Sequence, residues 1–223
     1  MWIGTNFVKQ FPLLATLSQD EIRRLAFRTE FFTASRNSII YRQGSKSEYI
    51  YFLVEGSVKL CVHTDDDREL IKDIVTTPSM FGELCLGGEV SRPEAAIVMS
   101  KDAKYYTIHV DQFKEMMFNN PMLCYNVLQL VGDRLIHTEN RLESMVLKDA
   151  KTRVIDFLKN LLNKQGRKVG FEMLIRHSYT QQDIANITGT SRQTVTSVLN
   201  DLKKSKSIQF NRNTILVRDM ARL

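Results

Sequence analysis

The sequence predicts an α+β protein: an N-terminal antiparallel β-barrel or jelly roll, a long dimerisation helix, and a C-terminal winged helix-turn-helix. Three observations predict it. Short runs rich in Ile, Val, Tyr and Phe recur between turn residues from Phe31 to about His109, apolar residues repeat at spacings of four and three from Cys124 to Met145, and Thr180 to Lys204 reads as two short helices joined by a tight turn. The expected divisions are residues 1–110, 111–149 and 150–223.

Ser18-Gln-Asp-Glu21 is a capping box, and it opens an amphipathic helix with Ile22, Leu25 and Ala26 on one side. The strand runs follow as Ser38 to Tyr41, Tyr49 to Val54, Val58 to Val62, Leu70 to Val75, Ala95 to Met99 and Tyr105 to Val110. Between them lie turn signals at Gly44, Gly56, Asp65 to Asp67 and Gly82-Glu83. Many short strands at this spacing indicate a barrel or jelly roll.

From Asp111 to about Leu147 the pattern is helical, interrupted early by Pro121, which starts a helix more readily than it continues one. Cys124, Leu128, Val131, Leu135, Thr138, Leu142 and Met145 form a narrow heptad seam flanked by Asp133, Arg134, Glu139, Arg141 and Glu143. A seam this narrow suits a two-chain coiled coil better than docking on a globular core.

Lys148 to Ala150 reads as a hinge. A helix bearing Val154, Ile155, Phe157, Leu158, Leu161 and Leu162 follows, then a polar turn at Gln165 to Arg167 and a strand from Phe171 to Ile175. Thr180 with Asp183 caps the next helix, Gly189 allows the reversal, and Ser191 caps a second helix that buries Val195, Val198, Leu199 and Leu202. Ile208 and Phe210 then face Ile215 and Val217 across Asn211-Arg212-Asn213, a wing with Arg212 at its tip.

The outer positions of that second helix are Arg192, Gln193, Thr196, Ser197 and Asn200, with Ser191 at its start. Arginine pairs with guanine, glutamine or asparagine with adenine, and a threonine methyl touches thymine, so this face has the chemistry to read a major groove; Arg212 would touch phosphate. The charge agrees. Residues 150–223 hold 14 Lys and Arg against 5 Asp and Glu, a net of +9, whereas residues 1–149 hold 17 against 20, a net of −3. Duplex DNA is the expected partner. No run of about 18 apolar residues exists to span a bilayer, the first residues lack a secretion signal, and a cytoplasmic location is expected. Cys61, Cys85 and Cys124 are widely spaced, which gives neither a disulfide framework nor a zinc knuckle, and no metal site is expected.

Taken together, Gly44, Gly56, Phe-Gly82-Glu83-Leu84, the long helix, Thr180-Gln-Gln-Asp-Ile-Ala and Ser191-Arg-Gln-Thr-Val resemble the Crp/Fnr family of bacterial transcription factors over nearly the whole chain. The resemblance implies a cyclic-nucleotide-binding-type domain, a homodimer through the long helix, a winged-helix domain on a palindromic operator, and contact with RNA polymerase. It also marks an effector pocket at Gly82, Glu83, Leu84, Arg92, Thr138 and Glu139. Members that bind cyclic AMP resemble one another in Arg-Ser-Ala after the Gly-Glu-Leu loop; here the segment is Arg92-Pro93-Glu94-Ala95, so Pro93 falls at the arginine and Glu94 at the serine. Arg92 would substitute only with a shift of one residue. Glu139 stands beside Thr138 where the family has a serine, and Pro78 replaces a turn glycine. Cyclic AMP sensing of the usual kind is therefore not expected, and the effector stays open. An iron–sulfur cluster is excluded because residues 1–60 contain no cysteine. Haem would need Cys85, His63, His109 or His137, each read as a packed or surface side chain.

The expected function is a dimeric transcription regulator and not an enzyme. Two alternatives make different predictions: a cyclic-nucleotide-responsive subunit acting on a protein partner would not bind DNA in a salt-dependent way, and a metal-dependent barrel enzyme would need converging histidines that the barrel lacks.

Overall fold

The computed structural model describes residues 7–66, 68–211 and 213–218, and the chain divides into two compact units. The first comprises Met1–Arg68 with Lys72–His137, the second Glu69–Ile71 with Thr138–Leu223.

In the first unit, two short 3-10 turns (Val8–Gln10 and Pro12–Leu14) lead into α1 (Gln19–Arg28). The Ser18 hydroxyl accepts from the Glu21 N–H while the Glu21 carboxylate accepts from the Ser18 N–H, the reciprocal cap expected from the sequence. Eight strands follow: β1 (Glu30–Ser35), β2 (Ile39–Tyr41), β3 (Tyr49–Glu55), β4 (Ser57–His63), β5 (Glu69–Thr76), β6 (Ser79–Phe81), β7 (Ala95–Val98) and β8 (Asp102–His109). They form two four-stranded sheets, β1-β8-β3-β6 and β2-β7-β4-β5. Among the described residues no pairing joins the two sheets, so the closed barrel offered as one form of the fold is not built and a two-sheet jelly roll is. The reason lies in the edges: β2 and β6 are three residues long, too short to carry a ladder around a closed wall.

The strand β3 is buried on both faces. Tyr51 and Leu53 join Tyr41, Val58, Phe81, Ala96 and Val98 in the core between the sheets, whereas Ile50 and Phe52 join Phe11, Leu25, Ile108 and Phe113 beneath the helices. At the β3–β4 turn Gly56 has φ +95°, and an added Cβ would stand 2.4 Å from the Asp102 carbonyl oxygen, so no other residue fits.

The helical stretch is two helices, α2 (Val110–Asn119) and α3 (Pro121–Leu147). Asn120 breaks them, its Oδ1 accepting from the Leu123 N–H, and Pro121 takes the first helical position where no N–H is needed. The 27 residues of α3 would extend roughly 40 Å. Its seam faces solvent: Leu128 is 66% exposed, Leu135 58% and Leu142 63%, and Cys124 and Thr138 are exposed too.

In the second unit Asp149 caps α4 (Ala150–Gln165) through the Thr152 N–H. A hairpin of β9 (Arg167–Val169) and β10 (Glu172–Arg176) follows in place of the single strand expected from Phe171. Gly170 turns at φ +63°, and Phe171 is fully exposed beside it. Then come α5 (Gln181–Thr188), α6 (Arg192–Lys204), β11 (Ile208–Asn211) and β12 (Thr214–Val217), giving a sheet ordered β11-β12-β10-β9. Val154, Leu158, Ile175, Ile184, Val195, Leu199, Ile215 and Val217 form one core. No helix among the described residues is long and apolar enough to cross a membrane.

Candidate nucleic-acid interface and effector pocket

The helix-turn-helix is assembled by short polar contacts that the sequence made available. Thr180 and Asp183 exchange cap hydrogen bonds at the start of α5, Gly189 ends it at φ +61°, and Ser191 caps α6 by accepting from the Thr194 N–H at 3.0 Å. Buried Ala185 lets the helices pack closely. A residue not foreseen, Arg153 of α4, closes the turn from behind. Its guanidinium donates to the Thr188 carbonyl at 2.8 Å, the Gly189 carbonyl at 3.1 Å and the Lys148 carbonyl at 2.7 Å, putting a cation on the C-terminal carbonyls of α5. The only sequence signal was an arginine at the edge of an apolar helix stripe.

Arg192, Gln193, Thr196, Ser197 and Asn200 line one open surface depression along α6. Arg192, Gln193, Ser197 and Asn200 are exposed and Thr196 is half-buried. The hydroxyl of Ser191 is committed to its cap and lies 2.9 Å from the Thr194 hydroxyl. Lys203 and Lys204 end the helix. The wing pairs Ile208 with Val217 and Phe210 with Ile215; Arg212 lies outside the described residues.

In the first unit the structure brings Gly82, Glu83 and Arg92 together. Gly82, at φ +74°, starts a 3-10 turn over Glu83–Gly87, and Arg92 is 2% exposed. The Arg92 guanidinium donates to the Gly82 carbonyl at 3.0 Å and to the Tyr49 carbonyl, and its carbon sits 4.4 Å from the Tyr41 ring centroid and 5.6 Å from that of Tyr51. Arg92 thus reaches the Gly-Glu loop although the equal-spacing position belongs to Pro93. Glu83 is 4% exposed and pairs through Oε1 with Arg134 of α3, which also donates to the Met80 carbonyl. Glu94, buried as well, pairs with Lys72 at 2.6 Å. Among the described residues, four buried polar atoms of this cluster find no hydrogen-bond partner: Tyr41 Oη, Glu83 Oε2, Glu89 Oε1 and Arg92 Nε. Burial, then the charge of Glu94, pushes the Tyr41 phenol far up, and burial raises Tyr51.

Leu84 is 44% exposed and stands outside this buried cluster, and Thr138 and Glu139 are exposed positions of α3 in the second unit. Arg134 was legible only as a charge flanking the seam, although its place one helical turn before Thr138 was a usable signal. Of the side chains considered for haem, Cys85 is buried and its thiol donates to the Gly82 carbonyl at 3.1 Å, burial pushing it up. His109 caps α2 by accepting from the Asp111 N–H, and His63 and His137 are exposed.

A jelly-roll domain followed by a long helix and a winged helix-turn-helix with a polar, exposed second helix defines a DNA-binding regulator. Residues 32–120 match the cyclic nucleotide-binding domain and residues 152–223 the Crp-like helix-turn-helix domain. Among curated relatives, the chain is 26% identical over 188 residues to the CRP-like cAMP-activated global transcriptional regulator of Mycobacterium tuberculosis, covering 84% of each chain. It is 28% identical over 194 residues to the global nitrogen regulator of Nostoc sp., covering 86% of each. Among solved structures, FixK2 from Bradyrhizobium japonicum superposes with a TM-score of 0.77 at 21% identity, over 87% of this chain and 94% of that one. The chain belongs to the Crp/Fnr family and is a DNA-binding transcription regulator of that type.

Proposed function

We propose that the protein acts in the cytoplasm as a homodimer, paired along the exposed seam of α3, and places two copies of α6 in successive major grooves of a palindromic operator. The observation that carries this is the row Arg192, Gln193, Thr196, Ser197 and Asn200, set along one depression at the surface of a helix whose opposite side is the core. Arg192 pairs with a guanine in each half-site and Gln193 favours adenine. Arg212 meets phosphate, and RNA polymerase is the protein partner. The role is regulatory, with no catalysis.

The domain from 1 to 110 serves as the sensor, the domain from 150 to 223 as the reader, and the stretch from 111 to 149 as the link that makes the dimer. The sensor does not answer cyclic AMP in the usual way. Arg92 has both terminal nitrogens on backbone carbonyls and its plane against tyrosines, Glu83 is already paired with Arg134, and Glu94, paired with Lys72, adds a buried carboxylate that no bound phosphate would favour.

Two measurements test this. Arg192→Ala is expected to cost about 1–3 kcal/mol of operator binding and to relax selection at one base pair per half-site; equal weakening on every sequence would contradict the assignment. Titration with cyclic AMP is expected to leave both the melting temperature and operator affinity unchanged, and a rise in either at micromolar nucleotide would overturn the sensor reading.

A further inference from the structure

Thr196 stands apart from its neighbours on α6 because its hydroxyl is held by another helix. The Thr196 Oγ1 lies 2.7 Å from Oε1 of Gln181, the first residue of α5, and 2.8 Å from the Arg192 carbonyl oxygen one turn back in α6. A threonine hydroxyl carries a single proton, and two protein acceptors already compete for it. The oxygen is therefore kept on one arm of Cβ, with no proton to offer a base, and the Cγ2 methyl on another arm is what the side chain can present. A free threonine is an ambiguous reader, because its hydroxyl can donate or accept and its methyl can touch thymine. Gln181, with the Arg192 carbonyl, occupies the donor, so the oxygen keeps acceptor capacity only and the methyl remains open to contact.

We infer that Gln181 is a positioning residue for sequence readout: by holding the Thr196 hydroxyl proton and fixing the side chain, it favours the methyl contact of Thr196, which selects the C5-methyl group of one thymine in each half-site. The inference rests on the proposed docking of α6 in the major groove. It adds to that docking a specificity element drawn from the first helix of the motif. Gln182 does not take the same part: its amide bonds within its own helix, the nitrogen donating to the Asn186 side chain at 2.8 Å.

The experiment uses the full-length protein and an operator obtained by selection from random duplexes, with each thymine replaced singly by deoxyuridine, which deletes only the C5-methyl group. One thymine per half-site should show a loss of about three- to fivefold, the size of one buried methyl group. Thr196→Val, which keeps that methyl, should retain the loss, and Thr196→Ser, which lacks it, should abolish it. Gln181→Leu should reduce it to below twofold, and Gln181→Glu, which keeps an oxygen acceptor, should restore the thymine-to-uracil ratio even as its added charge weakens binding uniformly. Circular dichroism of each variant shows that the motif is folded. If no thymine has a methyl dependence that follows residue 196, or if Gln181→Leu leaves the ratio unchanged in a folded protein, the inference is overturned. Arg192→Ala separates the two levels: an effect of Arg192→Ala with no uracil effect removes only the role of Gln181, whereas no effect of Arg192→Ala removes the docking itself.

Discussion

Replacing Arg134 with methionine is expected to destabilise the sensor domain by about 3–5 kcal/mol, far more than a substitution at a position one quarter exposed usually costs. The magnitude follows from its partner. Glu83 is 4% exposed, one of its oxygens is held by Arg134, and the other makes no hydrogen bond among the described residues, so the variant leaves a buried carboxylate without its paired cation. Methionine keeps the aliphatic stem, which confines the loss to charge and hydrogen bonding. If the pair is what neutralises the pocket, Glu83→Gln combined with Arg134→Met should recover a large part of the loss, because no charge is then stranded. Urea unfolding followed by circular dichroism, with the slope checked for constancy, measures each stability and their coupling. A cost below about 1 kcal/mol for Arg134→Met, or strict additivity in the cycle, would refute the reasoning.

Three further outcomes are expected. Gly189→Ala should cost about 1–2 kcal/mol, because φ is +61° there and the new Cβ meets nothing closer than Met145 Cε at 3.4 Å; thermal denaturation reads it, and an unchanged Tm would show the turn can relax. Burial holds the His177 imidazole, near-parallel to the rings of Tyr179 and Phe210, below its ordinary value, opposed only in part by the Tyr179 backbone. The unfolded chain therefore takes the proton first, so this contribution is complete above about pH 6.5 and is lost as pH falls through the lower folded-state value; His177→Phe should flatten that part of the stability–pH curve, and a superimposable curve would contradict it. Leu135→Glu, at a position 58% exposed in a single chain, should shift the dimer toward monomer in sedimentation and weaken operator binding at least tenfold, whereas a stable dimer would remove the seam from the interface.

The sequence made the helix-turn-helix legible almost atom by atom because its contacts are local. Thr180 with Asp183, Gly189 and Ser191 each act within four residues, and Val195, Val198, Leu199 and Leu202 are buried as helical spacing demands. Nine strands were readable from apolar runs, but β1, β6 and β9 were not: β1 is exposed at five of its six residues, and β6 and β9 are three residues long, so alternation gives little signal. Whether the sheet closes depends on distant edges, which no local pattern records. The sensor pocket was the least legible part, since Arg134 is 51 positions from Glu83 and Arg92 meets Tyr49 across 43. Equal spacing pointed to Pro93, whereas the turn geometry delivers Arg92. Gln181 was hidden for the same reason: a glutamine at the start of one helix discloses nothing of a hydroxyl fifteen residues on.

The most direct test is the pattern and salt dependence of operator binding by the purified protein. Selection from random duplexes followed by footprinting should give two half-sites related by two-fold symmetry and spaced by about one helical turn, with log K falling linearly and steeply as log salt rises. Recovery of a single asymmetric site, or affinity that does not respond to salt, would contradict a basic module paired across a dimer and reading adjacent grooves.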